Sequence, residues 1–164
     1  MWISRVTRSV LAGVVAGAAG TLAMDALLYA RYRSGGGEQD ALGWESAAGV
    51  DTWEGAPAPA QAARKLAGMA GVDLPDTSVR TVTNVMHWAY GTNWGALLGA
   101  MGARGVRPGV LLGAGVWIFD YVSLPLLGVY KPIWEYDTNT LWKDLSAHLV
   151  YGVVTGMVAE ALAD

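Results

Sequence analysis

Hydrophobic side chains make up 53% of the 164 residues and charged ones 15%, with a mean hydropathy of +0.31, a balance displaced from soluble averages toward a membrane protein. A net charge of −3 supplies no basic footprint, which argues against nucleic acid as a partner. The absence of cysteine removes disulfides, thiolate metal centres, iron–sulfur clusters and cysteine nucleophiles, and leaves histidine, carboxylate or backbone to hold any metal or cofactor.

Four stretches meet the requirement of about 20 mostly apolar residues for a membrane span: residues 9–30, 82–103, 109–128 and 141–163. Backbone polar groups in lipid must be satisfied within the segment, and the period-two alternation of barrel strands is missing, so all four are expected to be helices. A cleaved signal peptide is the competing reading of the first, because Arg5 and Arg8 precede an apolar run and Ala23-Met-Asp-Ala26 is a loose small-residue site. Continuation through Leu27, Leu28 and Tyr29 favours a retained helix.

Polar residues 32–80 follow, opening on the flexible Ser34-Gly-Gly-Gly37. Within them residues 59–70 are Ala-rich, with Ala63, Leu66, Ala67 and Ala70 on one face, which predicts a short amphipathic helix at the membrane surface. Gly71 and Pro75 end it, and Asp76-Thr-Ser provides capping residues for the second span. Pro125 and Gly128 stop the third span, and residues 131–139 form the loop into the fourth. The expectation is an all-α polytopic membrane protein, one domain built as a four-transmembrane-helix bundle with that surface helix in the first loop. The short basic connection holding Arg104 and Arg107 shares a side with Arg5 and Arg8, which favours cytoplasmic termini, although more bases, spread among acids, lie opposite. Trp2, Trp134 and Trp142 fit as interfacial anchors.

Each span holds glycines at helix-packing spacing: Gly13 with Gly17, Gly91 with Gly95 and Gly99, Gly109 with Gly113, and Gly152 with Gly156. Close backbone approach of this kind replaces the weak apolar drive between helices in lipid. The sequence His-x-x-Tyr-Gly-x-x-x-Gly occurs at His87 and again at His148, the only two histidines. Each copy follows an antiparallel span bearing an aspartate, Asp25 or Asp120, which suggests two related helical hairpins. At about 1.5 Å per residue these four groups lie roughly 8–12 Å in from the loop side, in one layer and on the glycine faces.

Ionisable groups within a membrane mark a functional site by default. Asp25, His87, Asp120 and His148 are therefore the candidate binding or proton-handling residues, with Asn84, Asp144 and Ser123 placed to orient neighbours and Tyr90 and Tyr151 beside them. The competing reading makes the histidines and tyrosines hydrogen-bonded packing residues. Catalytic motifs are missing: no Gly-x-Ser-x-Gly elbow, phosphate loop or His-Glu-x-x-His occurs.

The stretch Ser123-Leu-Pro125-Leu-Leu-Gly128-Val-Tyr-Lys-Pro132-Ile-Trp-Glu135-Tyr, followed by Leu145-Ser-Ala-His148-Leu-Val-Tyr-Gly152, resembles the end of the YagU-like family of bacterial inner-membrane proteins. That resemblance implies a small multi-pass protein of the cytoplasmic membrane, linked to acid resistance and without an established enzymatic activity. It carries over Pro125, Gly128, Pro132 and His148. The chain departs from the family where Tyr32-Arg-Ser-Gly-Gly-Gly stands in place of a Pro-Pro-Arg element and where Asp120 replaces a histidine.

The leading expectation is proton or cation handling by the Asp/His layer. Two alternatives stand beside it. His87 and His148 could ligate haem b axially, or join Asp25 and Asp120 around a divalent metal. The chain could instead be a structural partner, as a homo-oligomer or with another membrane protein, through its glycine seams and a loop surface of Trp44, Trp53 and Trp134.

Overall fold

The computed structural model describes residues 2–163, with side chains from residue 6 onward; the side chains of Trp2 and Arg5, expected at the first interface, lie outside the described residues. Among the described residues the α-helices are α1 (Trp2–Ser34), α2 (Ala41–Glu45), α3 (Ala58–Met69), α4 (Val79–Ala100), α5 (Val106–Leu126) and α6 (Thr138–Ala161). The fold is all-helical, and no strand occurs among the described residues. Among the described residues two helices are long and apolar enough to cross a membrane, over Val6–Ser34 and Val106–Leu126. The helices α4 and α6 have comparable lengths of 22 and 24 residues but do not fall in that class.

Helix ends follow local chemistry. Arg31 and Arg33 occupy the last turn of α1, where cations complement the unsatisfied carbonyls. Gly105 opens α5 at φ 89°, a left-handed conformation that glycine adopts without strain, and its N–H donates to Gly156 O at 2.8 Å. At the far end of α5 the Lys65 ammonium donates to Leu127 O at 2.7 Å and Gly128 O at 2.9 Å, satisfying terminal carbonyls from a different element.

The long helices pair antiparallel. A Cβ placed on Gly17 would lie 2.6 Å from Gly91 O, and one on Gly95 would lie 2.6 Å from Gly17 Cα, so α1 and α4 touch backbone to backbone. On the other side of the molecule, a Cβ on Gly152 would lie 2.8 Å from Gly113 Cα and one on Gly156 3.0 Å from Gly109 Cα, which brings α5 and α6 together in the same way. The two hairpins join where α6 crosses α1: Ala16 packs with Ala159, and a Cβ on Gly20 would stand 2.6 Å from Tyr151 O. Arg31 ties the loop-side end of this contact, donating to Lys143 O at 2.7 Å and Ser146 Oγ at 2.8 Å. The seam between α4 and α5 is wider and is spanned by side chains, with Trp94 against Phe119 at 5.5 Å between ring centres.

The expected surface helix is α3, but a different face is turned inward. Ala60 and Ala62 are buried, whereas Leu66 is 51% and Met69 79% exposed. Trp53 is the reason: its ring packs with Ala56, Ala60 and Val79 into a small apolar cluster that rotates α3 onto the start of α4. Of the three tryptophans expected to form a contact surface, Trp53 is buried, Trp44 packs on Tyr29 and Tyr32, and Trp134 remains exposed. The helix α2 falls in the polar residues 32–80, where residues 59–70 were the helix expected.

Candidate functional site

Asp25 reaches the interior because the small residues Gly17, Gly20 and Thr21 draw α1 onto α4 and α6 on the same face. The carboxylate is only 4% exposed, and its Oδ2 stands 2.8 Å from His87 Nε2 on α4. His87 is more open, with 35% of its side chain accessible. One carboxylate–imidazole hydrogen bond thus joins the two helices of the first hairpin at a point reachable from one side.

The second hairpin repeats the motif. His148 on α6 directs Nε2 to Asp120 Oδ2 on α5 at 3.4 Å, while Nδ1 lies 3.0 Å from Asp144 O, one turn earlier on α6. A carbonyl only accepts, so Nδ1 carries the donated proton and Nε2 shares any further one with Asp120. The other oxygen of Asp120 accepts a hydrogen bond from Tyr90 on α4, and the Asp144 carboxylate comes within 3.5 Å of Nδ1. Tyr90, Asp120, His148 and Asp144 therefore form one connected polar chain through three helices.

The four residues expected to share one ligand set divide into two pairs, Asp25 with His87 and Asp120 with His148. Tyr151 lies between the hairpins, donating to Gly91 O at 2.6 Å. A haem between the two histidines does not fit this arrangement, because Nε2 of each ring, the usual axial donor, is turned to its own aspartate. Asn84 takes a different role from the one expected. Its amide donates to Arg80 O at 2.8 Å and to Ser46 O at 3.0 Å, so it holds the first loop rather than His87.

Comparisons with family profiles, curated proteins and solved structures return no match. The chemistry of the site accordingly rests on its own geometry.

That geometry includes one residue that the sequence reading passed over. Glu45, the last residue of α2, brings a carboxylate oxygen to the first pair, and its oxygen, one of Asp25 and a nitrogen of His87 all lie within 4.8 Å of one another. Burial, reinforced by the Asp25 charge and opposed by His87, holds the Glu45 carboxyl above its ordinary pKa. Nothing in the hydropathy marks Glu45, which sits in a polar stretch. The one available signal is Asp40, three residues before Gly43: a capping pattern that announces a short helix.

Proposed function

We propose that this chain is a multi-pass protein of the bacterial cytoplasmic membrane, with α1, α4, α5 and α6 all crossing, whose two intramembrane His–Asp pairs handle positive charge in the form of a proton or a cation. The observation that carries the reading is an inverted distribution of polarity. Large apolar side chains face outward on all four long helices, among them Leu11, Val15, Val85, Leu97, Ile118, Phe119, Val122 and Met157. Asp25, Thr21, Thr83, His148 and Thr155 are buried inside. Water does not reward such an exterior, and lipid does.

Two further facts support this reading. Only 33% of the apolar stretch of α1 and 28% of that of α5 is buried within the protein, unlike the core helices of a soluble fold. The helix α1 is also packed along its length on α4 and α6 and supplies Asp25, so its removal as a signal peptide would dismantle the first pair. Glycine pairing is the contact mode that association in lipid favours.

Within the bundle the two pairs divide the work. The Tyr90–Asp120–His148–Asp144 chain has a proton donor or acceptor at every step, and histidine changes charge in the range an acid response uses. The Asp25–His87 pair, more accessible and lying beside Glu45, is the cation-binding end. The likeness of residues 123–152 to YagU-like proteins supports an acid-stress setting. Cells carrying the double variant His87→Gln/His148→Gln should keep the protein in the membrane at normal abundance and lose any survival advantage at low pH. An unchanged acid response with both imidazoles gone would remove the proposal.

A further inference from the structure

We infer that Asp25, Glu45 and His87 form a binding site for a divalent transition-metal ion such as Zn²⁺ or Mn²⁺, closed from the loop side by α2. The inference rests on the reading of the first pair as the cation-binding end, and adds a ligand, a charge and a metal class to it.

Three observations converge on this site. First, the ligand atoms are already gathered: one from each residue, all within 4.8 Å of one another. Metal–ligand bonds of about 2.0–2.2 Å place ligand atoms roughly 3.3 Å apart around a tetrahedral ion, a spacing that small side-chain adjustments reach from here. Second, Glu45 Oε1 is buried without a hydrogen-bond partner. Among the described residues three buried side-chain polar atoms are in that condition, and the other two are indole nitrogens, so Glu45 holds the one acceptor. An unpaired, buried oxygen on the half-buried Glu45, beside the buried carboxylate of Asp25, is a costly arrangement that a cation relieves.

Third, Glu45 is held in place from both sides. Asp40 Oδ1 accepts from Gly43 N at 2.7 Å and starts α2. The Trp44 ring lies 5.6 Å from Tyr29 and 6.4 Å from Tyr32 on α1. Ser46 is gripped from α4, its carbonyl accepting from Arg80 Nε at 2.9 Å and Asn84 Nδ2 at 3.0 Å, and its hydroxyl from Arg80 Nη2 at 2.9 Å. The two residues flanking Glu45 are thus fastened to the same two helices that carry Asp25 and His87, which is how a ligand set is preorganised.

Charge and donor type select the ion. Two carboxylates and a neutral imidazole carry two negative charges, which a divalent ion cancels and a monovalent ion leaves half compensated in a low-dielectric setting. The imidazole nitrogen favours zinc-like ions over calcium or magnesium, which prefer oxygen ligands throughout. Three protein ligands leave a coordination position free on the His87 side, where the ring is accessible.

The test is calorimetric titration of the full-length, detergent-purified, chelator-stripped protein with ZnCl₂ and separately with MnCl₂. The expected result is one ion bound per chain, with affinity lowered tenfold or more in Glu45→Gln and in His87→Gln and unchanged in His148→Gln. Glu45 lies on a short loop helix, so Glu45→Gln should fold normally, and an unaltered melting curve in buffer with chelator checks this. Absence of stoichiometric binding, or binding that Glu45→Gln leaves intact, overturns the inference. The two ideas fail separately: loss of the acid response in the double-histidine variant without metal binding sinks this site alone, whereas metal binding with an unchanged acid response sinks the charge-handling function and leaves the site.

Discussion

Asp137 caps α6 with both carboxylate oxygens, accepting from Thr140 N at 3.0 Å and Thr140 Oγ1 at 2.6 Å. These bonds favour the ionised form and lower its pKa from the ordinary value of 3.8. A depressed folded-state pKa contributes stability that is fully present above the unfolded value and is lost as the pH falls through the folded one. Replacing Asp137 by Ala should therefore lower the melting temperature of the purified protein slightly near pH 7, with the two curves converging as the pH falls below the lowered folded-state pKa of the cap. A difference that persists unchanged at the acid end would mean that the side chain acts by packing and not by charge. Residue-level chemistry was readable in part. His87 and His148 stood out because histidine is rare in the chain and both sit in apolar runs, and similar depth drew the two aspartates to them, but as one layer of four and not as the two separate pairs of the fold. Glu45 was not readable, since a carboxylate in a polar loop is indistinguishable from a solvated one until the loop folds back. Asn84 was misjudged for a related reason: helical spacing showed that it could face His87, but not that Ser46 would arrive as a competing acceptor.

At the scale of the helix, glycine decides how near two backbones come. The boundaries of α4, α5 and α6 were legible within three residues, because apolar runs, Pro125, Gly128 and the capping aspartate are local signals, whereas α1 begins seven residues before the expected 9–30 and ends four after it. The facing of α3 was not, since it depends on Trp53, a residue outside the helix whose ring decides which alanines are covered. Two glycines separate a packing role from mere composition. A Cβ on Gly95 would lie 2.6 Å from Gly17 Cα and 2.7 Å from Gly17 N, with only backbone to yield, whereas a Cβ on Gly68 in α3 meets nothing within 4 Å. Gly95→Ala should force α1 and α4 apart at a cost on the order of 1–3 kcal/mol, and should also weaken the Asp25–His87 bond that depends on their approach. Gly68→Ala should stabilise by roughly 0.5–1 kcal/mol, because glycine within a helix carries extra entropy into the unfolded state. Thermal unfolding in one detergent compares the two directly, and equal effects would show that the close approach at Gly95 carries no energetic weight.

For the molecule as a whole, the proposed membrane setting turns on the number of times the chain crosses the bilayer. Hydropathy alone singles out α1 and α5. The antiparallel glycine contacts bind α4 to α1 and α6 to α5 along their lengths, so α4 and α6 cannot lie outside the membrane while their partners cross it without opening both hairpins. The chain contains no cysteine, so single cysteines introduced at the exposed positions Glu38, Arg104, Glu135 and Ala163 report topology without background. With four crossings, Glu38→Cys and Glu135→Cys should react with a membrane-impermeant maleimide from one face, and Arg104→Cys and Ala163→Cys from the other. The basic connection at Arg104 and Arg107 favours the cytoplasm for that second face, against the larger number of bases, spread among acids, on the first. Crossing at α1 and α5 alone gives a different pattern, with positions 38 and 104 together and 135 opposite. Uniform labelling of all four positions from outside would remove the membrane altogether, and with it the reason for reading the buried aspartate–histidine pairs as intramembrane groups.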